Sequence, residues 1–183
     1  LRRLRINEFL LPLFLGSNES RQNDADLLRH AESLGVVEEN AASPRFCVLV
    51  SKFKSEDGVY IADARHAEFV GNIFHRHGLK TTGLVAYQRV ITLVTLGGTG
   101  KSENLLELPL TEIVQTARRL QREHCTIGVS REFSALSDCS DAYYQAVTAR
   151  RYTSDGAGDI RFIDDQEKNE EFAIDQAEKT AAM

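Results

Sequence analysis

The stretch Gly97-Gly98-Thr99-Gly100-Lys101-Ser102 is the densest run of residues in this chain that could do chemistry. Glycines followed by a lysine and a hydroxyl are what a phosphate-cradling loop requires. The loop amides wrap the phosphates, the lysine reaches the outer oxygens and the hydroxyl holds magnesium. The full pattern is G-x-x-x-x-G-K-S/T, and counting back from Gly100 puts its first glycine on Thr95, so the pattern fails by one residue. The preceding strand fits. The helix should begin at the Lys101-Ser102 pair, yet Pro109 and the apolar stripe from Leu110 predict a later start. The expectation is a flexible loop between elements. The competing reading is a nucleotide site on Gly97, Gly98, Gly100, Lys101 and Ser102, with magnesium-dependent ATP or GTP binding that Lys101→Ala abolishes.

Other reactive side chains are scattered. His75 and His77 stand two apart on a predicted helix, pointing away from each other, which makes them poor joint metal ligands. A place beside the helix C-terminus, where imidazole meets free carbonyls, suits them better. His124 and Cys125 adjoin at a helix-to-strand junction, and Asp164-Asp165 is an acidic pair at a strand end. Neither pattern specifies a reaction, and no Ser-His-Asp or Cys-His set can be identified from the sequence. Cys47, Cys125 and Cys139 are odd in number and widely spaced, which gives neither a disulfide framework nor a zinc spacing. That suits a reducing cytosol, and two of them sit in apolar runs and read as small core residues. The expectation is therefore no catalytic residue, no metal and no cofactor.

These side chains need a scaffold, and 183 residues are enough to bury a full core. Hydrophobic residues at 42% and charged residues at 27% are those of a globular chain, not a disordered one. The net charge of −5 makes direct nucleic-acid binding a poor expectation, because phosphate contacts need clustered Lys and Arg. Arg2, Arg3 and Arg5 form the only dense basic stretch and read as a solvated helix face. With Phe9 to Leu15 they loosely resemble a signal peptide, but Glu8 interrupts the run and no small-x-small site follows. Asn18-Glu19-Ser20 matches a glycosylation sequon, without meaning in a bacterial cytosol. No segment has the length and apolarity of a membrane span. The chain begins without Met, as a fragment of a longer protein or a processed one would.

Ile6, Phe9, Leu10, Leu13 and Phe14 recur at helical spacing, with Pro12 predicting a kink or a late start. Ser17 to Asn23 is a polar break. Leu27, Leu28, Ala31 and Leu34 form a second helical stripe that Gly35 closes. After a loop with Pro44, Phe46 to Val50 reads as a strand buried on both faces, and Ser55 to Gly58 as a turn. Residues 62–77 read as a helix ended by Gly78. Two β-branched runs, 82–87 and 90–96, are separated only by Gln88-Arg89, which is hairpin spacing with an unfavoured turn; Tyr87 or Val90 can belong to it. Leu110, Ile113, Val114, Ala117 and Leu120 trace an amphipathic helix. Cys125 to Val129 is a strand, Ala142, Ala146 and Ala149 mark a close-packing helix, Gly156 and Gly158 a turn, and Ile160 to Ile163 a last strand. The order β-α-β-β-α-β-α-β predicts an α+β fold. It has a ferredoxin-like, mainly antiparallel sheet flanked by helices, with an N-terminal helical extension. The divisions expected are a helical lead-in at 1–40, an α/β domain at 41–165 and a polar linker or helix at 166–183.

Three segments carry a resemblance: Cys125 to Asp138 with Ile127-Gly128-Val129-Ser130, then Ala142 to Tyr152, then Asp159 to Asp164. Together they resemble the GGDEF-like domain that lies between the receiver and the AraC-type DNA-binding domain in bacterial two-component response regulators. Related domains occur in sugar-diacid and purine-catabolism regulators. The likeness covers roughly residues 5 to 165 and implies the fold of diguanylate cyclases. Cyclases of that fold carry Gly-Gly-Asp/Glu-Glu-Phe at the central hairpin turn, where this chain has Tyr87-Gln88-Arg89-Val90. They hold magnesium with acids at the first strand, where aligning Phe53-Lys54 puts Leu49 and Ser51. Phosphoryl transfer without those carboxylates loses its main charge stabilisation, so no cyclase activity is expected. The resemblance implies a cytoplasmic relay or effector-sensing module. Its partners would be a second copy and the receiver and helix-turn-helix domains of the same parent chain, with no nucleic-acid or membrane contact of its own. A stand-alone small-molecule sensor is the alternative.

Overall fold

A computed structural model describes residues 2–16, 23–38, 43–153 and 158–165. The polar break at 17–22, the loop residues 39–42, Gly156 and the tail from 166 lie outside them. The order is α1 (Arg2–Leu15), α2 (Asp24–Ser33), β1 (Arg45–Lys54), β2 (Tyr60–Ile61), α3 (Ala64–Arg76), β3 (Lys80–Ala86), β4 (Arg89–Leu96), α4 (Ser102–Thr116), β5 (His124–Val129), α5 (Cys139–Arg151) and β6 (Ile160–Phe162). The sheet runs β3-β4-β1-β5-β6, with β2 added to the end of β1. Every pairing is antiparallel except β5 with β6. This is the mixed, mostly antiparallel architecture that the sequence predicts.

β1 is central and buried along most of its length. Strand residues alternate between faces, so it feeds two cores. Phe46, Val48 and Val50 pack with α1, α2 and α5. Cys47, Leu49 and Phe53 pack with α3 and α4 on the other side. Phe9, Leu10, Leu13 and Phe14 of α1 are all buried in the first of these cores, so the stripe of the lead-in helix packs on its own domain.

Three expectations need correction. Helix α1 does not start late; it runs Arg2–Leu15 with Pro12 inside it. A lost backbone bond at Pro12 is outweighed by the apolar residues buried on either side. Helix α4 begins at Ser102, not at Pro109, and carries Pro109 inside. Burial of Leu106 ahead of Leu110 and Ile113 extends the stripe upstream, and Glu103 in the first turn suits the helix dipole. The hairpin turn is Tyr87-Gln88, so the Gln88-Arg89 spacing gives way to the reading that takes in Tyr87. Both residues have left-handed φ values, 54° and 59°, the conformation that a two-residue turn requires. After α4 the chain makes one π-helical turn, Ala117–Gln121, closed by Arg122 at φ 54°.

Candidate functional site

The loop at Gly97–Ser102 has a strand before it and a helix starting at Ser102, so its setting is nearer to a phosphate loop than the sequence predicts. Its polarity is the reverse. A phosphate loop turns amide hydrogens inward. Here the Arg45 guanidinium donates to the Gly98 carbonyl at 2.8 Å and to the Gly100 carbonyl at 2.5 Å. Glu132 holds the same guanidinium through two bonds, 2.5 and 2.9 Å. That hydrogen bond raises the pKa of Arg45 and lowers that of Glu132. Two carbonyls converging on an arginine already in place do not suit a phosphate. Lys101 is the N-terminal flank of α4 and makes no side-chain cap.

The other sequence candidates are separated. His77 flanks the end of α3 and meets Glu112 of α4 at 2.6 Å. His75 is exposed. His124 meets Asp159 at 2.7 Å, whereas Cys125 points into the core. Asp164 accepts from Arg131 at 2.6 Å. All three cysteines are free and buried. Among the described residues no group of three or more His, Cys, Asp or Glu is placed to hold a metal.

The positions implied by the cyclase resemblance lie at one end of the sheet. Leu49 and Ser51 of β1 are fully buried. The Ser51 hydroxyl has no hydrogen-bond partner among the described residues. Ser51 pairs with Val90, so the Tyr87-Gln88 turn lies beside the last residues of β1. On the α5 side of this end the sheet presents Lys52 from β1 and Arg89 from β4. The last turn of α5 adds Arg150 and Arg151.

These four cations influence one another, and among the described residues no carboxylate is a cause of the shifts of Lys52 or Arg150. Burial lowers the pKa of Lys52, and Arg150, Arg89 and Arg151 lower it further. Burial also lowers that of Arg150; Tyr60 works against this, while Arg89 and Arg151 add to it. Aromatic hydroxyls and rings surround the group. Arg89 donates to the Tyr143 hydroxyl at 2.9 Å, and Arg150 approaches the Thr126 hydroxyl at 3.4 Å. The Lys52 ammonium lies 4.6 Å from the centre of the Tyr60 ring. The Nε of Arg89 is buried without a partner among the described residues. A half-buried cluster of like charges is costly by itself, and an anion placed among them relieves that cost.

The sequence hides this cluster because its members come from three elements scattered over a hundred residues of an acidic chain. The only local trace is Arg150-Arg151 at the end of a helix. One glycine seats that helix. A β carbon on Gly128 would collide with the carbonyl of Ala146 and the backbone of Arg150, so α5 lies directly on β5.

Among the described residues, no helix is long and apolar enough to cross a membrane. The family model described as GGDEF-like domain matches residues 18–152. The match specifies a type of domain and nothing about neighbouring domains. No curated protein matches the chain.

Proposed function

For a chain that belongs to the GGDEF-like domain family, a signalling type of domain, we propose a non-catalytic role in a cytoplasmic bacterial transcription regulator. It relays phosphorylation or an effector signal to a DNA-binding domain outside this segment. Two copies act together in the parent protein. The observation that carries the reading is the cluster of Lys52, Arg89 and Arg150 at the end of the sheet, with no carboxylate among the described residues as a cause of the shifts of Lys52 and Arg150. Cations gathered near the hairpin turn, on the face of the sheet opposite to Leu49 and Ser51, favour holding an anion. The effector is then a small anion, and a sugar diacid or a purine metabolite fits the related regulators. Anion binding there tightens the contact between the β3–β4 hairpin and α5, which is the differential contact that any relay needs.

Thermal unfolding tests this with the whole chain. A sugar diacid, xanthine, inorganic phosphate and GTP are titrated separately, with and without magnesium. A saturable rise in Tm with one of them, lost in Arg150→Ala, supports the reading. Formation of a cyclic dinucleotide from GTP and magnesium overturns the non-catalytic part. No response to any of the four overturns the effector part and leaves relay through dimerisation. The alternative nucleotide site at Gly97–Ser102 predicts instead a magnesium-dependent response to GTP that Lys101→Ala removes.

A further inference from the structure

β3 is the outermost strand of the sheet at the end away from β6. It pairs with β4 one residue for one, from Lys80↔Thr95 to Ala86↔Arg89, without a bulge. A two-residue turn makes Ala86↔Arg89 a hydrogen-bonded closing pair, and such pairs alternate along an antiparallel ladder. The backbone groups of Lys80, Thr82, Leu84 and Ala86 are thus turned to β4. Those of Thr81, Gly83 and Val85 are turned outward. Exposed edges are usually blunted by proline, bulges or inward charges. β3 has none of these beyond Lys80 at its start.

Along this outer edge runs a groove of about 930 Å³, with β3 as its floor. That is the size of a specific ligand site. One wall is α3. A β carbon on Gly83 would stand 3.8 Å from the Ala67 Cβ, and one on Gly71 3.4 Å from the Thr81 hydroxyl. Small residues on this wall leave room for larger incoming side chains. The other wall is polar, with Arg3 and Asn7 of α1 and with Glu38. The Asn7 Oδ1 is buried there without a donor among the described residues. Glu68 lies beside the middle of β3, while His75 and Lys80 lie at its start.

We propose that the outer edge of β3 binds one extended segment of a partner polypeptide as an added antiparallel strand. The outward groups of Thr81, Gly83 and Val85 give it backbone bonds, and alternate positions give specificity. Apolar residues face Ala67 and Gly71; polar ones face Asn7. An antiparallel segment runs from the Val85 end to the Lys80 end. On the Asn7 side it carries an acidic residue late, beside Lys80. The two helical walls favour a single strand over a second copy's whole sheet, whose own α1 and α3 would meet them. The inference is independent of the anion cluster.

Amide hydrogen exchange of the whole chain tests it, with the probe peptide acetyl-Lys-Val-Thr-Val-Thr-Val-Glu-amide. Saturating peptide is expected to slow exchange at Thr81, Gly83 and Val85 by about tenfold or more. Gly71→Leu, which narrows the groove, is expected to remove the effect. The same peptide N-methylated at its valines keeps the side chains but loses the donors, and is expected to give no protection even if Gly71→Leu fails to fold. Absence of slowing at millimolar peptide overturns the proposal. So does equal slowing by the N-methylated peptide, or protection that needs no peptide and grows with protein concentration, which assigns the edge to a second copy.

Discussion

Arg150 lies directly over Gly128: a β carbon on that glycine would come within 2.8 Å of the Arg150 Cβ, and closer still to backbone of α5. The position of the charged end of α5 thus depends on a missing methyl group in β5. Gly128→Ala is expected to destabilise the fold by about 1–3 kcal/mol, the usual cost of overpacking a tight contact. It is also expected to weaken any anion response, because α5 must lift. Urea unfolding and the effector titration check the two parts separately.

Ser51 bears on the proposed non-catalytic role. Its hydroxyl is buried without a partner among the described residues, so Ser51→Ala is expected to be neutral or stabilising by up to about 1 kcal/mol. Ser51→Asp, which supplies the carboxylate, is expected to destabilise strongly because the charge enters an apolar face. Equal unfolding midpoints for the two variants would show that this position is open to solvent.

The turn at Tyr87-Gln88 holds two non-glycine residues in the left-handed region. Gln88→Gly removes that strain and is expected to stabilise by about 1 kcal/mol. A lowered unfolding midpoint would show that the Gln88 side chain makes a contact worth more than the strain.

Asp63 caps α3, and the hydrogen bond from Arg65 holds its carboxyl down at about 2, aided by the backbone amides of Arg65 and His66. A depressed carboxyl contributes stability above its unfolded value, near 4, and loses it as pH falls toward 2. Asp63→Asn is expected to be less stable than the parent at neutral pH and to converge with it as pH nears 2, so its profile is flatter across that window. Unfolding midpoints between pH 5 and 2 measure this.

Burial pushes the Cys47 and Cys139 thiols up to about 12, and raises Cys125 as well. Thiolate is the reactive form. All three are expected to resist a thiol reagent in the native protein and to react together on unfolding. Rapid labelling of one thiol would mark a local opening.

The α+β class and most elements were legible because periodicity reports burial, and burial made them. Phe46 to Val50 reads as a two-faced strand because β1 is central. The start of α4 was misread because Pro109 looks like a first-turn proline, whereas Leu106 decides the matter from inside the core. The two residues of β2 carry no periodicity. The Gly97–Ser102 loop was legible as a motif but not in polarity, since Arg45 reaches it from fifty residues away. Lys52, Arg89 and Arg150 join only after folding, so no local signal marks them.

β1 comes first in the chain among the strands of this sheet and lies at its centre, with its edges filled by β4 and by β5. One of its edges stays open until His124–Val129 has left the ribosome. Until then a largely buried strand is a sticky nascent edge, and contacts so distant in sequence predict slow folding. A chain cut short before β5 is expected to aggregate or to need a chaperone, however well its first half is formed.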